Sequence, residues 1–126
     1  MAKPIDVNDQ DLPDPDLIQP HTATEYIHRA WLYYGQQNFE KSINDFYKAL
    51  ESDPENVDTV FGLALALKSN GNKEKAIEFF EKTLSLIDQI EDHIRARMLR
   101  RLTVGQINQI KTGDWNLEKE LWQFKK

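Results

Sequence analysis

The residues of this chain that can act as acids, bases or metal ligands show no pattern that would support catalysis. The three histidines share no ligand spacing, and each fits a surface position: His21, His28 and His93. The absence of cysteine excludes thiolate metal sites and cysteine nucleophiles. The sequence also contains no glycine-rich loop that would hold a phosphate. We therefore expect no enzymatic activity, no metal site and no cofactor.

An acidic run near the N-terminus comes closest to a metal site. Asp6, Asn8, Asp9 and Asp11 are spaced like the ligands of a calcium loop. The central glycine and the closing glutamate of such a loop are missing. We do not predict calcium binding.

A basic cluster is the second place where charge is concentrated. Arg95, Arg97, Arg100 and Arg101 have no acidic residue between them, and the last three can share a helix face. The cluster fits either a solvated face or a docking site for an acidic partner. Nucleic-acid binding is the less favoured alternative, because the pI is near 5.2 and no aromatic residue lies between the arginines.

Length and composition predict one domain preceded by an acidic arm. The 126 residues suffice to bury a core without disulfides. Residues 1–22 hold five aspartates, one lysine and four of the five prolines, which predicts an extended arm. No apolar window is long enough for a membrane span, and no signal peptide is recognisable. We expect a cytoplasmic protein that does not bind membranes.

Helices must position any binding surface, because apolar residues after position 22 recur at intervals of three and four. A long helix is predicted over residues 91–111 and a short last helix over residues 115–124. Gly105 lies inside the long helix, where glycine costs about 1 kcal/mol relative to alanine. We therefore expect another group to pack closely against Gly105. The breaks between the earlier helices are predicted at residues 35–38, 53–54 and 70–72.

An internal repeat organises these helices. NFEKSINDFYKAL at residues 38–50 is followed 34 residues later by NKEKAIEFFEKTL at residues 72–84, and seven of the thirteen pairs are identical. A fixed period of this length is typical of helical repeat proteins.

The two copies resemble tetratricopeptide repeats. The first copy matches the motif at Tyr26, Ala30, Tyr33, Ser42, Phe46, Ala49 and Pro54, and the second at Val60, Leu63, Ala64, Leu67, Ala76 and Phe80. The resemblance implies an all-α, TPR-like right-handed solenoid of antiparallel helix hairpins. Its repeats are predicted at residues 23–56 and 57–90, with a degenerate third at 91–124 that ends in a capping helix. Arg29, Thr83 and Asp88 depart from the motif.

In this family the first helix of each repeat lines a concave face that binds proteins or peptides. The resemblance therefore implies an adaptor or scaffold module with an apolar groove formed by Ile27, Trp31, Tyr34, Phe61, Leu65 and Lys68. Core packing is the competing interpretation of the aromatic residues, and the arm is a possible cover for the groove. Self-association through the same surface is the alternative function.

The clamp that some tetratricopeptide domains use for chaperone tails is absent. Its lysine, asparagine and arginine positions correspond here to Ile27, Trp31, Asp58 and Gly62. We predict no binding of chaperone-tail carboxylates.

Overall fold

The computed structural model describes residues 13–115, which form five α-helices and, within that range, no strand. The helices are α1 (Ala23–Gly35), α2 (Phe39–Ser52), α3 (Val57–Ser69), α4 (Lys73–Leu86) and α5 (His93–Thr112). Short connections make α1 with α2, and α3 with α4, into antiparallel hairpins, and α2 packs on α3 as α4 packs on α5. The predicted all-α stack of helical hairpins is confirmed. The predicted last helix lies, apart from Trp115, outside the described residues.

Side-chain caps start the helices at equivalent places in the two repeats. The Asn38 side chain accepts a hydrogen bond from the Lys41 backbone N–H at 3.4 Å, and Asn72 accepts one from Lys75 at 3.3 Å. Asparagine at this position satisfies a backbone donor that the helix itself leaves free. Both repeats thus have asparagine at this position because it caps the second helix of each hairpin.

Small residues allow the helices of each hairpin to approach closely. Ala30, Ala64 and Ala76 are completely buried, and the rings of Phe46 and Phe80 fill the space beside them. The core is therefore built from the motif positions, since the same residue types recur 34 positions apart.

The N-terminal segment of the described chain, residues 13–18, lies along α1. Arg29 forms two hydrogen bonds with the buried Asp45 of α2, at 2.7 and 2.8 Å, and donates a third to the Ile18 carbonyl at 3.0 Å. Tyr33, one turn later, donates to Asp16 at 2.6 Å. The segment thus runs antiparallel to α1. Arg29, which departs from the motif, holds this segment to the first hairpin.

Gly105 has the close neighbour that its position in the helix predicts. A Cβ atom added at Gly105 would lie 1.7 Å from the Trp115 ring, and Asn108 donates a hydrogen bond to the Trp115 carbonyl at 2.7 Å. Gly113, at φ 81°, ends α5 and turns the chain back. The glycine therefore allows Trp115 to pack directly on the α5 backbone.

Candidate functional site: an apolar groove across the first helices

Trp31 is the most prominent aromatic residue on the face formed by the first helices. Its ring packs edge to face on Phe46, with centroids 5.1 Å apart, yet 40% of the residue is exposed. A Cβ atom added at Gly62 of α3 would lie 2.9 Å from the Trp31 ring and 2.8 Å from Phe46. Glycine at this position lets the indole lie against the next repeat. Trp31 thus packs on the core with one side and remains partly exposed to solvent.

Tyr34 and Ile27 extend this surface along α1. Both are half-buried and pack against the core. The Tyr34 ring lies 5.5 Å from that of Trp31, and its hydroxyl is 3.3 Å from the Ser69 hydroxyl at the end of α3. Core packing and ligand contact therefore do not exclude each other at these residues.

Phe61 and Leu65 are the corresponding apolar residues of α3. Each is half-buried and packs against the core, and Phe61 lies edge to face with the buried Phe80 at 5.8 Å. Their rigid support matches that of Trp31 on Phe46. The two repeats thus present apolar side chains at equivalent positions, 34 residues apart for Ile27 and Phe61 and for Trp31 and Leu65.

Lys68 lies at the C-terminal end of α3 and is held by two neutral side chains of α5. Its ammonium group donates hydrogen bonds to the side-chain oxygens of Gln106 and Gln109. Desolvation by burial, with a smaller contribution from Lys73, lowers the pKa of Lys68. The sequence offered no signal for the two glutamines, because they lie about 40 residues from Lys68 on a helix outside the regular repeats.

The structure separates the four arginines of the basic cluster. Arg95 binds Asp58 across the gap between α5 and α3, and Arg100 donates to Asp88 at 3.3 Å. Arg97 and Arg101 are exposed, and neither forms an ion pair within residues 13–115. Arg95 thus lies beside the start of α3, while the other three arginines lie on another part of α5.

Of the residues predicted to form the groove, the N-terminal segment approaches Trp31. Pro13, Asp14 and Asp16 share a cavity of about 420 Å³ with Trp31 and the end of α1. The hydrogen bonds of the segment to the helices go to Arg29, Tyr33 and Lys41. In its described part, the arm therefore docks beside the first hairpin, and residues 1–12 lie outside the description.

Comparison with known proteins agrees with this architecture. The family model for the tetratricopeptide repeat matches residues 33–102, more than half of the chain. The chain belongs to the tetratricopeptide repeat family. A TPR repeat-containing protein of Methanocaldococcus jannaschii is 25% identical over 63 residues, which cover 50% of this chain and 11% of that protein. The chain thus spans about a tenth of the length of this relative.

Membership of the tetratricopeptide repeat family gives the general role of such a groove. These repeats generally mediate protein–protein interaction, and the family generally serves as a non-catalytic scaffold. Within residues 13–115 there is no group of three or more acidic, histidine or cysteine side chains able to hold a metal ion. Over the same residues, no helix has the length and apolar character to cross a membrane.

Proposed function

We propose that this protein is a non-catalytic adaptor that binds a protein or peptide partner in the groove formed by α1 and α3. The groove residues are Ile27, Trp31, Tyr34, Phe61, Leu65 and Lys68. The observation that carries the proposal is Trp31, which is 40% exposed while its ring is fixed against Phe46. A large aromatic side chain of this kind loses little conformational entropy when a ligand covers it.

The support beneath the groove favours binding over a purely structural role. Phe46 and Phe80 are completely buried and hold Trp31 and Phe61 from below. The apolar surface is therefore present before a partner arrives, and no free energy of binding is lost in ordering it. The lack of cysteine supports a cytoplasmic setting for this function.

Affinity capture from a lysate of the source cells, read by quantitative mass spectrometry, tests the proposal. The variant Trp31→Ala/Phe61→Ala removes the two largest apolar side chains of the groove. Because truncating a central aromatic anchor costs at least about 2 kcal/mol of binding, we expect partner recovery to fall by more than about tenfold.

A matched control variant is available on the second helices. Tyr47 on α2 and Phe79 on α4 also form an aromatic pair, with centroids 6.0 Å apart, and Tyr47 is 36% exposed. Tyr47→Ala/Phe79→Ala should retain the partner, with both variants shown to be helical by circular dichroism. Equal recovery by wild type and both variants would argue against the groove.

Self-association is the alternative use of the same surface. It predicts that the wild type is a dimer or larger, and that Trp31→Ala/Phe61→Ala is a monomer. Light scattering coupled to size exclusion separates this outcome from binding of a foreign partner.

A further inference from the structure

We propose that the groove continues onto α5, and that its partner is a peptide with large apolar side chains and one carboxylate, which Lys68 binds. This inference rests on the proposed function, because it names the partner of the same groove. Two observations lead to it: the register of α5 against α3, and the surroundings of the Lys68 ammonium.

Two polar contacts show the register of α5 against α3. Near the start of both helices Arg95 binds Asp58, and near their ends Lys68 binds Gln106 and Gln109. The two helices therefore run in the same direction, side by side.

Met98 and Leu102 lie between these two contacts, on the same face of α5. The positions 95, 98, 102, 106 and 109 are three or four residues apart, which places them on one side of a helix. Phe61 and Leu65 lie between Asp58 and Lys68 with the same spacing on α3. Met98 is 61% exposed and Leu102 is 47% exposed. They thus extend the apolar surface from α3 to a third helix.

The Lys68 ammonium provides the polar feature of this surface. Lysine carries three N–H donors, and the two glutamine oxygens take one each. Within residues 13–115 no carboxylate lies within ion-pair distance of Lys68. A half-buried cation with one open donor, surrounded by neutral amides, is complementary to a ligand carboxylate.

At the opposite end of the same surface, the charged side chains already have partners. Asp58 and Arg95 neutralise each other there. A partner carboxylate is therefore directed to the Lys68 end. Lys68 lies ten positions after Asp58 on α3, and at 1.5 Å per residue this distance is about 15 Å. About five extended residues of a partner cover this length.

A phage-displayed library of random dodecapeptides, selected on the full chain, tests the inference. We expect the enriched peptides to combine large apolar residues with an aspartate or glutamate. Replacing that acid by its amide in a synthetic peptide should weaken binding about tenfold, the usual scale for a charged hydrogen bond. Met98→Ala/Leu102→Ala should weaken the same peptide by a similar factor.

Charge reversal supplies the decisive comparison. Lys68→Glu should lose the acidic peptides and enrich basic ones, while Lys82→Glu, on the exposed face of α4, should select as the wild type does. Peptides that need Trp31 and Phe61 but ignore both the acid and Lys68→Glu would overturn this inference and leave the proposed function intact. If no selected peptide depends on Trp31 and Phe61, both proposals are wrong.

The chain's own C-terminal segment is the competing occupant, since it carries Glu118 and Glu120. If acidic peptides bind at Lys68 only in the variant Glu118→Gln/Glu120→Gln and not in the wild type, the C-terminal segment itself supplies the carboxylate. The proposal of a foreign acidic peptide would then be wrong.

Discussion

At the scale of single residues, the two repeats form the same turn between their helices with different amino acids. Gln37 and Gly71 occupy equivalent positions between the helices of their hairpins, and both have positive φ, 64° and 87°. A residue with a side chain pays roughly 1 kcal/mol for this left-handed conformation, whereas glycine adopts it freely. The first repeat therefore carries local strain that the second does not.

Gln37→Gly should relieve this strain. Glycine also gains conformational entropy in the unfolded chain, which offsets part of this gain, so we expect a net increase of at most about 0.5 kcal/mol in the free energy of unfolding. Urea denaturation followed by circular dichroism measures the change, and Gly71→Gln should shift the midpoint in the opposite direction. A Gln37→Gly variant less stable than wild type would show that the glutamine side chain, not the backbone, determines this turn.

Tyr33 predicts a dependence of stability on alkaline pH. Burial, followed by the hydrogen bond to Asp16, raises the pKa of Tyr33 to about 12. In the unfolded chain the pKa of tyrosine is about 10, so the folded state retains the proton longer. The stabilisation is complete below about pH 10 and is lost as the pH rises towards 12.

The tyrosinate absorbance near 295 nm provides the measurement for Tyr33. The difference between the titrations of wild type and Tyr33→Phe should have its midpoint near pH 12 in the folded protein. In guanidinium chloride the midpoint should move to about pH 10. A midpoint near 10 under native conditions would mean that the N-terminal segment does not dock on α1.

At the scale of helices and segments, Arg29 and Asp45 join the N-terminal segment to the first hairpin. Asp45→Ala leaves a partly buried guanidinium without its carboxylate, and such a loss costs about 3 to 5 kcal/mol when the pair is fully buried. Because 22% of the Arg29 side chain is exposed, we expect about 2 to 3 kcal/mol in urea unfolding.

The exposed pair of Lys48 and Glu51, 3.7 Å apart on α2, is the control for this prediction. Glu51→Ala should cost less than about 1 kcal/mol. If Asp45→Ala costs no more than Glu51→Ala, the N-terminal segment is not held by this ion pair.

The helices and their limits could be predicted from sequence because each limit has a local cause. Asn38 and Asn72 cap helices, and the residue before Pro54 is disfavoured in a helix. The close neighbour of Gly105 was also predictable, since glycine inside a helix needs a packing reason. Its identity, Trp115, was not, because the contact depends on the turn at Gly113.

At the scale of the whole molecule, the groove could be predicted only as far as the regular repeat extends. The 34-residue period relates α1 to α3, so that Phe61 corresponds to Ile27 and Leu65 corresponds to Trp31. The third unit does not keep this period. Its position depends on contacts between distant residues, chiefly the packing of α5 on α4.

The apolar pattern of α5 shows why the buried face of this helix could not be predicted from the sequence. Ile94, Met98 and Leu102 have the spacing of a buried stripe, yet all are exposed, while Leu99 and Ile107 are buried. Spacing identifies an apolar helix face but does not state whether a partner within the same chain covers it. Only the packing of α5 on α4 distinguishes the two faces.

Fluorine NMR of protein labelled with 5-fluorotryptophan tests the central claim, that Trp31 is part of the binding site, most directly. The chain has three tryptophans, and Trp31→Phe identifies the resonance of Trp31. The protein is titrated with the partner that the wild type recovers and Trp31→Ala/Phe61→Ala does not. We expect the Trp31 resonance to shift, and the change in its chemical shift to level off when the binding site is full. If the partner binds while only the resonances of Trp115 or Trp122 move, the binding site lies elsewhere and the groove account is wrong.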